Sequence, residues 1–244
     1  MKVELLHVGS FTAAAGIWRQ GEAMDGRVTL PVPAYLIETG SERILVDTGL
    51  HPQAVRDPGR HYGGAESMRH FGLEQEASVA DQVELETLTK VVLTHLHFDH
   101  AGAVSLLPAS VPIYLQRREW EGAQDPGTIA RNFLLPADYG CLEGRATLLD
   151  GDHDLLGDGS VTLLLTPGHT PGHQSVQIGE SLVIGADVAH FAATLDDLRF
   201  PLFADDFERQ GESARRLRAL RDDGATVMPG HDPDAIQPGE LAIS

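Results

Sequence analysis

Two compact histidine clusters follow apolar runs in this chain of 244 residues, and a further histidine closes another such run. The first cluster is THLHFDH, residues 94–100. If the run KVVLTH ends as a strand, residues two apart face the same side about 6.6 Å apart, so His95 and His97 can converge on one ion. Asp99 and His100 then point elsewhere as the chain turns into a helix, which suits a second ion beside the first. A carboxylate with imidazoles and no Cys fits zinc, and also iron, cobalt or manganese. The second cluster is TPGHTPGH, residues 166–173, where Pro-Gly breaks the strand VTLLLT and presents His169 at a tight turn. SLVIGAD then delivers Asp187 at a strand end, and ATVMPGHD delivers His231 in the same way. Two divalent ions about 3.5–4 Å apart would hold a bridging water and lower its pKa enough to supply hydroxide near neutral pH.

Such a site needs a rigid edge on which several strands end together. The sequence predicts strands over 2–8, over VPAYLIETG and ERILVDTG as a hairpin through Gly40 and Ser41, and over KVVLTH and VPIYLQ. It predicts more over RATLLD, VTLLLT, HQSVQIG and SLVIGAD. Residues 49–75, rich in Gly, Pro, His and Arg without a steady period, read as a long functional loop. ASVADQVELE reads as a short helix, Ala101 to Leu107 as a helix start, and the stretch around Trp120 as helical. DDFERQGESARRLRALRDD reads as a helix with Ala214, Leu217 and Leu220 on one stripe. Strand clusters each followed by a helical segment predict two packed sheets covered outside by helices. No linker-like shift in composition divides the chain, which reads as a single domain over 1–244.

Composition narrows the partners. With 36 acidic and 18 basic residues the formal charge is -18, which repels phosphate backbones and anionic lipid and argues against nucleic acid as substrate. The opening MKVELLHVGS, interrupted by Glu4 and His7, lacks the apolar core of a secretory signal, and no run is long enough for a membrane span. A lone Cys141 leaves no internal disulfide and fits a reducing compartment, so the cytoplasm is expected. Cys141 has no basic cluster beside it and reads as a small buried apolar residue rather than a nucleophile. A small-molecule substrate and a monomer or homodimer are the expected partners.

Taken together, HxHxDH, His169 after Thr-Pro-Gly, the strand-end Asp187 and the final Gly-His at His231 resemble the metallo-β-lactamase superfamily. The resemblance runs nearly end to end and includes PAYLIETGSERILVDTG, with Asp47 placed behind the ligands. It implies an α/β (α+β type) fold, a four-layer αββα sandwich. It also implies a ligand assignment: His95, His97 and His169 to one metal, Asp99, His100 and His231 to the other, and Asp187 bridging, with zinc the first expectation. HLHFDH, the loop after LVDTG, and PGHDP look most like the N-acyl-homoserine lactone lactonases, the quorum-quenching enzymes. Those enzymes carry a Tyr three residues after the bridging Asp that donates to the substrate carbonyl. Here His190 holds that place, and an imidazole can also donate.

The resemblance therefore implies a hydrolase that opens a lactone or related ester. Asp99 would pass the proton to the leaving alkoxide, His190 would act at the carbonyl, and Phe98 would flank the substrate chain. Trp18, Met24 and Phe71 lie near the expected mouth, where core or lid packing competes with an acyl pocket as their role. His173 is expected to hydrogen-bond within its turn, and His7, His51, His61, His70 and His153 to be solvated or loop-structural. THLHFDHAG and TPGHTPGH also resemble the glyoxalase II thioester hydrolases, which makes thioester hydrolysis the rival reading. The penicillin-hydrolysing branch has Cys where Asp187 stands, and the flavin-linked di-iron relatives have Glu in place of His97.

Overall fold

Side chains of a strand alternate between two faces, and that alternation sorts the apolar residues of this chain into three packed layers. The computed structural model describes residues 1–64, 68 and 71–242. Its first sheet holds β1 (Lys2–Ala14), β2 (Arg27–Glu38), β3 (Arg43–Val46), β4 (Gly72–Glu74), β5 (Lys90–Val92), β6 (Ile113–Gln116), β7 (Ala146–Leu149) and β13 (Gly239–Leu241). The order is β13-β1-β2-β3-β5-β6-β7, with β4 also paired to β1. The second sheet holds β8 (His153–Asp154), β9 (Val161–Leu165), β10 (Gln174–Ile178), β11 (Leu182–Ala186) and β12 (Thr226–Pro229), in the order β12-β11-β10-β9-β8.

Ile44 and Val46 of β3, Tyr35 and Ile37 of β2 and Val92 of β5 face Val161, Leu163, Val176, Leu182 and Ile184 across the space between the sheets. The alternate residues Leu36, Leu45 and Val91 point outward under the short helices and loops covering the first sheet. Leu164 and Val183 point the other way, against Ala214 and Leu217 of the helix Phe207–Asp222. That helix starts at Asp206, whose carboxylate accepts from the Glu208 and Arg209 amides. The result is a helix, sheet, sheet, helix stack, the mixed α/β architecture expected from the sequence. Among the described residues no helix is long and apolar enough to cross a membrane.

Three elements differ from the sequence-based expectation. β1 runs on to Ala14 through an irregularity between His7 and Ser10 that re-registers it against β2. The expected loop at 49–75 contains helices Pro52–Arg56 and Pro58–His61, each opening on a proline and capped by His51 or Asp57, and then β4. The strand expected over KVVLTH stops at Val92. Asp47 ends it by taking the Thr94 amide at 2.7 Å and the Thr94 hydroxyl at 2.8 Å. His95 and His97 therefore sit on an irregular loop rather than on alternating strand positions. His70 lies outside the described residues.

Candidate metal centre and active site

The loop from Leu93 to Ala103 bends back under β3, with Thr48 taking the His100 carbonyl and Ala103 reaching the Gly49 carbonyl. That bend brings His95, His97, Asp99 and His100 to one end of the sandwich. Pro167 and Gly168 turn the chain out of β9 to bring in His169. Gly168 has φ +131°, and a Cβ there would lie 2.1 Å from the Gln210 amide nitrogen, so only glycine fits. β11 and β12 run parallel and deliver Asp187 and His231 at the same end. Ala186 adopts φ +45° immediately before Asp187, a left-handed conformation that costs a non-glycine residue about 1–2 kcal/mol. A Cβ on Gly230 would stand 2.3 Å from Asp187 Oδ1, so this carboxylate lies flush against the neighbouring chain.

All seven side chains meet, each 6% exposed or less. His97 Nδ1 lies 2.9 Å from His95 Nε2 and 3.0 Å from His169 Nε2, and Asp187 Oδ2 lies 3.3 Å from His169 Nε2 and 3.8 Å from His95 Nε2. The edge of a tetrahedron with zinc–nitrogen arms is about 3.3 Å. The other oxygen, Asp187 Oδ1, lies 3.4 Å from His100 Nε2 and 3.2 Å from His231 Nε2. Asp99 Oδ2 completes that set at 3.4 Å from His231 Nε2 and 3.9 Å from His100 Nε2. One carboxylate thus faces two donor sets, one with each oxygen.

The donors fit cations by their unmet valence. Among the described residues, His100 Nε2, His231 Nε2 and Asp187 Oδ1 are buried without an aligned hydrogen-bond partner, a costly arrangement unless an ion takes their lone pairs. The opposite ring nitrogens are occupied: His97 Nε2 donates to the Asn132 carbonyl at 2.7 Å, His100 Nδ1 to Asp47 at 2.7 Å and His231 Nδ1 to the Pro31 carbonyl at 2.8 Å. Each such bond fixes the tautomer that leaves the inward nitrogen free to ligate. His173 is not in either set. Its Nδ1 meets Thr166 Oγ1 at 3.0 Å and its Nε2 accepts from the Asp187 amide at 3.2 Å, which anchors Asp187 by its backbone.

Electrostatics follow from burial and the carboxylates of Asp187, Asp99 and Asp47. Burial holds His95 and His97 well below the ordinary imidazole value, in the neutral form that metals need. Burial presses the same way on His100 and His231, but Asp187 with Asp47 and Asp99 outweighs it at His100, and Asp187 with Asp99 at His231, so both are raised. Protons there occupy the place that a cation would take. Burial pushes the Asp99 carboxyl up, against the pull of His100 and His231.

A cavity of about 350 Å³ opens onto this centre, with His97, Asp99 and Asp187 in its wall and Ile17, Trp18, Met68, Phe71, Phe98, Phe133, Leu135 and Phe203 around them. Arg27 is the one cation among its described lining residues. Phe98, Trp18 and Phe71 thus lie on the cavity, whereas Met24 is 57% exposed and outside it. His190 lies beside Asp187. It is fully buried and absent from the wall, packed 5.6 Å from the Trp18 ring, with Nε2 3.1 Å from Asp187 Oδ2 but not aligned as a hydrogen bond. Ile17, Phe133, Phe203 and the buried Glu119 were not singled out by the sequence. Nothing in a stretch as polar as RREWEG marks one glutamate as buried.

The other histidines divide. His61 donates or accepts at 2.9 Å with Asp138 and stacks 4.5 Å from His51, a loop-structural role, and His153 lies 6.4 Å from the Tyr114 ring.

Comparison with known proteins agrees with this geometry. The N-acyl homoserine lactonase AttM of Azorhizobium caulinodans is 29% identical over 96% of this chain and 94% of its own length. The N-acyl homoserine lactonase of a Bacillus species is 32% identical over 87% of this chain and 84% of its own. A crystal structure of an N-acyl homoserine lactone hydrolase with N-hexanoyl-L-homoserine at its catalytic metal centre superposes with a TM-score of 0.79 at 26% identity, over 96% of this chain and 94% of that one. The family model described as the metallo-beta-lactamase superfamily matches residues 27–231. With two sheets, a buried His and Asp cluster at their common end and a match over most of its length, the chain belongs to the metallo-beta-lactamase superfamily and is a metal-dependent hydrolase.

Proposed function

We propose that residues 1–244 act as one catalytic unit, a dinuclear hydrolase that opens the ring of an N-acyl-homoserine lactone or a closely related ester. The observation that carries the reading is the carboxylate of Asp187, with one oxygen toward His95 and His169 and the other toward His100 and His231. We assign His95, His97 and His169 to one cation, Asp99, His100 and His231 to the other, and Asp187 to both, with zinc as the metal that suits the donors first. When bound, the two cations supply Lewis acidity and hydroxide near neutral pH.

The chain's own residues do the rest. Asp99 lies in the cavity wall beside His231 and His100, where its carboxylate can take the proton of the attacking water and pass it to the ring oxygen as that oxygen leaves. Phe98, Phe71, Trp18 and Ile17 offer apolar surface for an acyl chain and keep water from it. His190 abuts Asp187 rather than the cavity, so we assign it to bracing that carboxylate. The apolar wall with its single Arg27 favours a neutral acyl lactone over the anionic glutathione thioesters of the glyoxalase II reading.

Metal analysis and a substrate panel on one preparation test this. Two equivalents of metal are expected, with kcat/KM on N-hexanoyl- and N-decanoyl-homoserine lactone at least about a hundredfold above that on S-lactoylglutathione or a phosphodiester. A thioester preference, or a single bound ion, would overturn it.

A further inference from the structure

Glu119 sits in the first turn of the helix Arg117–Gly122 and is fully buried, though its neighbours Arg118 and Glu121 are exposed. Its two carboxylate oxygens are shared between two loops. Oε1 accepts from the Leu96 amide at 3.0 Å, and Oε2 accepts from the Gly172 amide at 2.8 Å. Leu96 lies between His95 and His97, and Gly172 lies in the turn that begins at His169. Those three histidines form one of the two donor sets, whereas the other set depends on Asp47, Pro31 and the end of β12.

Packing leaves this bridge no slack. A Cβ on Gly172 would lie 2.2 Å from the Glu119 amide nitrogen, and one on Gly122 would lie 3.0 Å from Pro171. The helix therefore lies against the 169–173 turn backbone to backbone while its glutamate reaches past to the other loop. Hydrogen bonds to a carboxylate are stronger and shorter than those to a neutral acceptor, and groups behind ligands commonly alter metal affinity by ten- to a hundredfold.

We infer that Glu119 is a positioning residue that ties the His95–His97 loop to the His169 turn and so sets the spacing of one metal-binding triad. It acts through the backbone of both loops and touches neither substrate nor metal. This rests on the two-cation reading given above. The signature that separates it from ordinary core support is selectivity: it should govern one of the two cations and leave the other alone.

The test uses the full chain, stripped of metal and titrated with Co²⁺ followed by its visible absorption, with urea unfolding of the stripped protein as a second readout. Binding of fewer than two equivalents by the unaltered protein would sink the dinuclear reading itself. In Glu119→Gln, an amide nitrogen must face one of the two N–H groups, so one tether is lost with the shape retained. One equivalent is expected to weaken ten- to a hundredfold while the other stays within about threefold, and kcat is expected to fall with KM held. Unchanged Co²⁺ binding overturns the inference. Equal weakening at both equivalents with a lowered urea midpoint also overturns it, because that pattern marks a residue that only supports the fold. Glu119→Asp keeps the charge with a shorter reach and is read by the same outcomes if the glutamine variant does not fold.

Discussion

His100 and His231 each donate from Nδ1, to Asp47 and to the Pro31 carbonyl, and so turn Nε2 inward. Asp47 does this while itself held at φ +61°, with its other oxygen on the Thr94 amide. Each of its oxygens therefore has a donor to satisfy, and an amide side chain can satisfy only one. Asp47→Asn is expected to weaken the cation we assign to Asp99, His100 and His231 by ten- to a hundredfold, leaving the cation we assign to His95, His97 and His169 near its original affinity. Competition with a chromophoric chelator measures this, and equal loss from both would show that Asp47 acts on the fold rather than on His100.

Between elements, the pair His61 and Asp138 joins the helix Pro58–His61 to the helix Pro136–Tyr139. Met68 and Phe71, which follow the first helix in sequence, and Phe133 and Leu135, which precede the second, all line the cavity. Burial pushes the Asp138 carboxyl from 3.8 up to about 6, with the hydrogen bond and charge of His61 opposing. The folded value lies above the unfolded one, so the stability this group contributes is complete below about pH 4 and is lost as pH rises through about 6. Between pH 5 and pH 8 the difference comes to about 1 kcal/mol. Urea unfolding of the unaltered chain and of Asp138→Asn at both pH values should show that the unaltered chain loses about this much relative to the variant. A constant gap would show that Asp138 does not titrate there.

For the molecule as a whole, seven donors drawn from residues 95 to 231 exist together only in the folded chain. Cations held by them would bind the native state in preference to the unfolded chain and stabilise it by mass action. Metal at a thousandfold its dissociation constant contributes about 4 kcal/mol per site. For a chain of this size that raises Tm by roughly 10 °C or more. Calorimetry with and without EDTA should show this drop, and identical transitions would count against any metal in the centre. The formal charge of -18 draws cations toward the surface, so the on-rate for metal should fall as salt is added.

The seven donors were legible as residues because each follows an apolar run and breaks it with a Pro-Gly, an Asp or a His, which is local chemistry that spacing records. The two sheets and the helix Phe207–Asp222 were legible too, since periods of 2 and 3.6 are written into burial along the chain. Spacing could not show that KVVLTH stops at Val92, because the agent is Asp47, some 45 residues away, whose oxygens compete with the strand ladder. Nor could it show that Glu119 is buried or that His190 packs against Trp18, since a side chain's surroundings are supplied by segments distant in sequence. Which side chains could serve as donors was legible in the order of residues, whereas how far apart they stand and what holds them was settled only when the sheets packed.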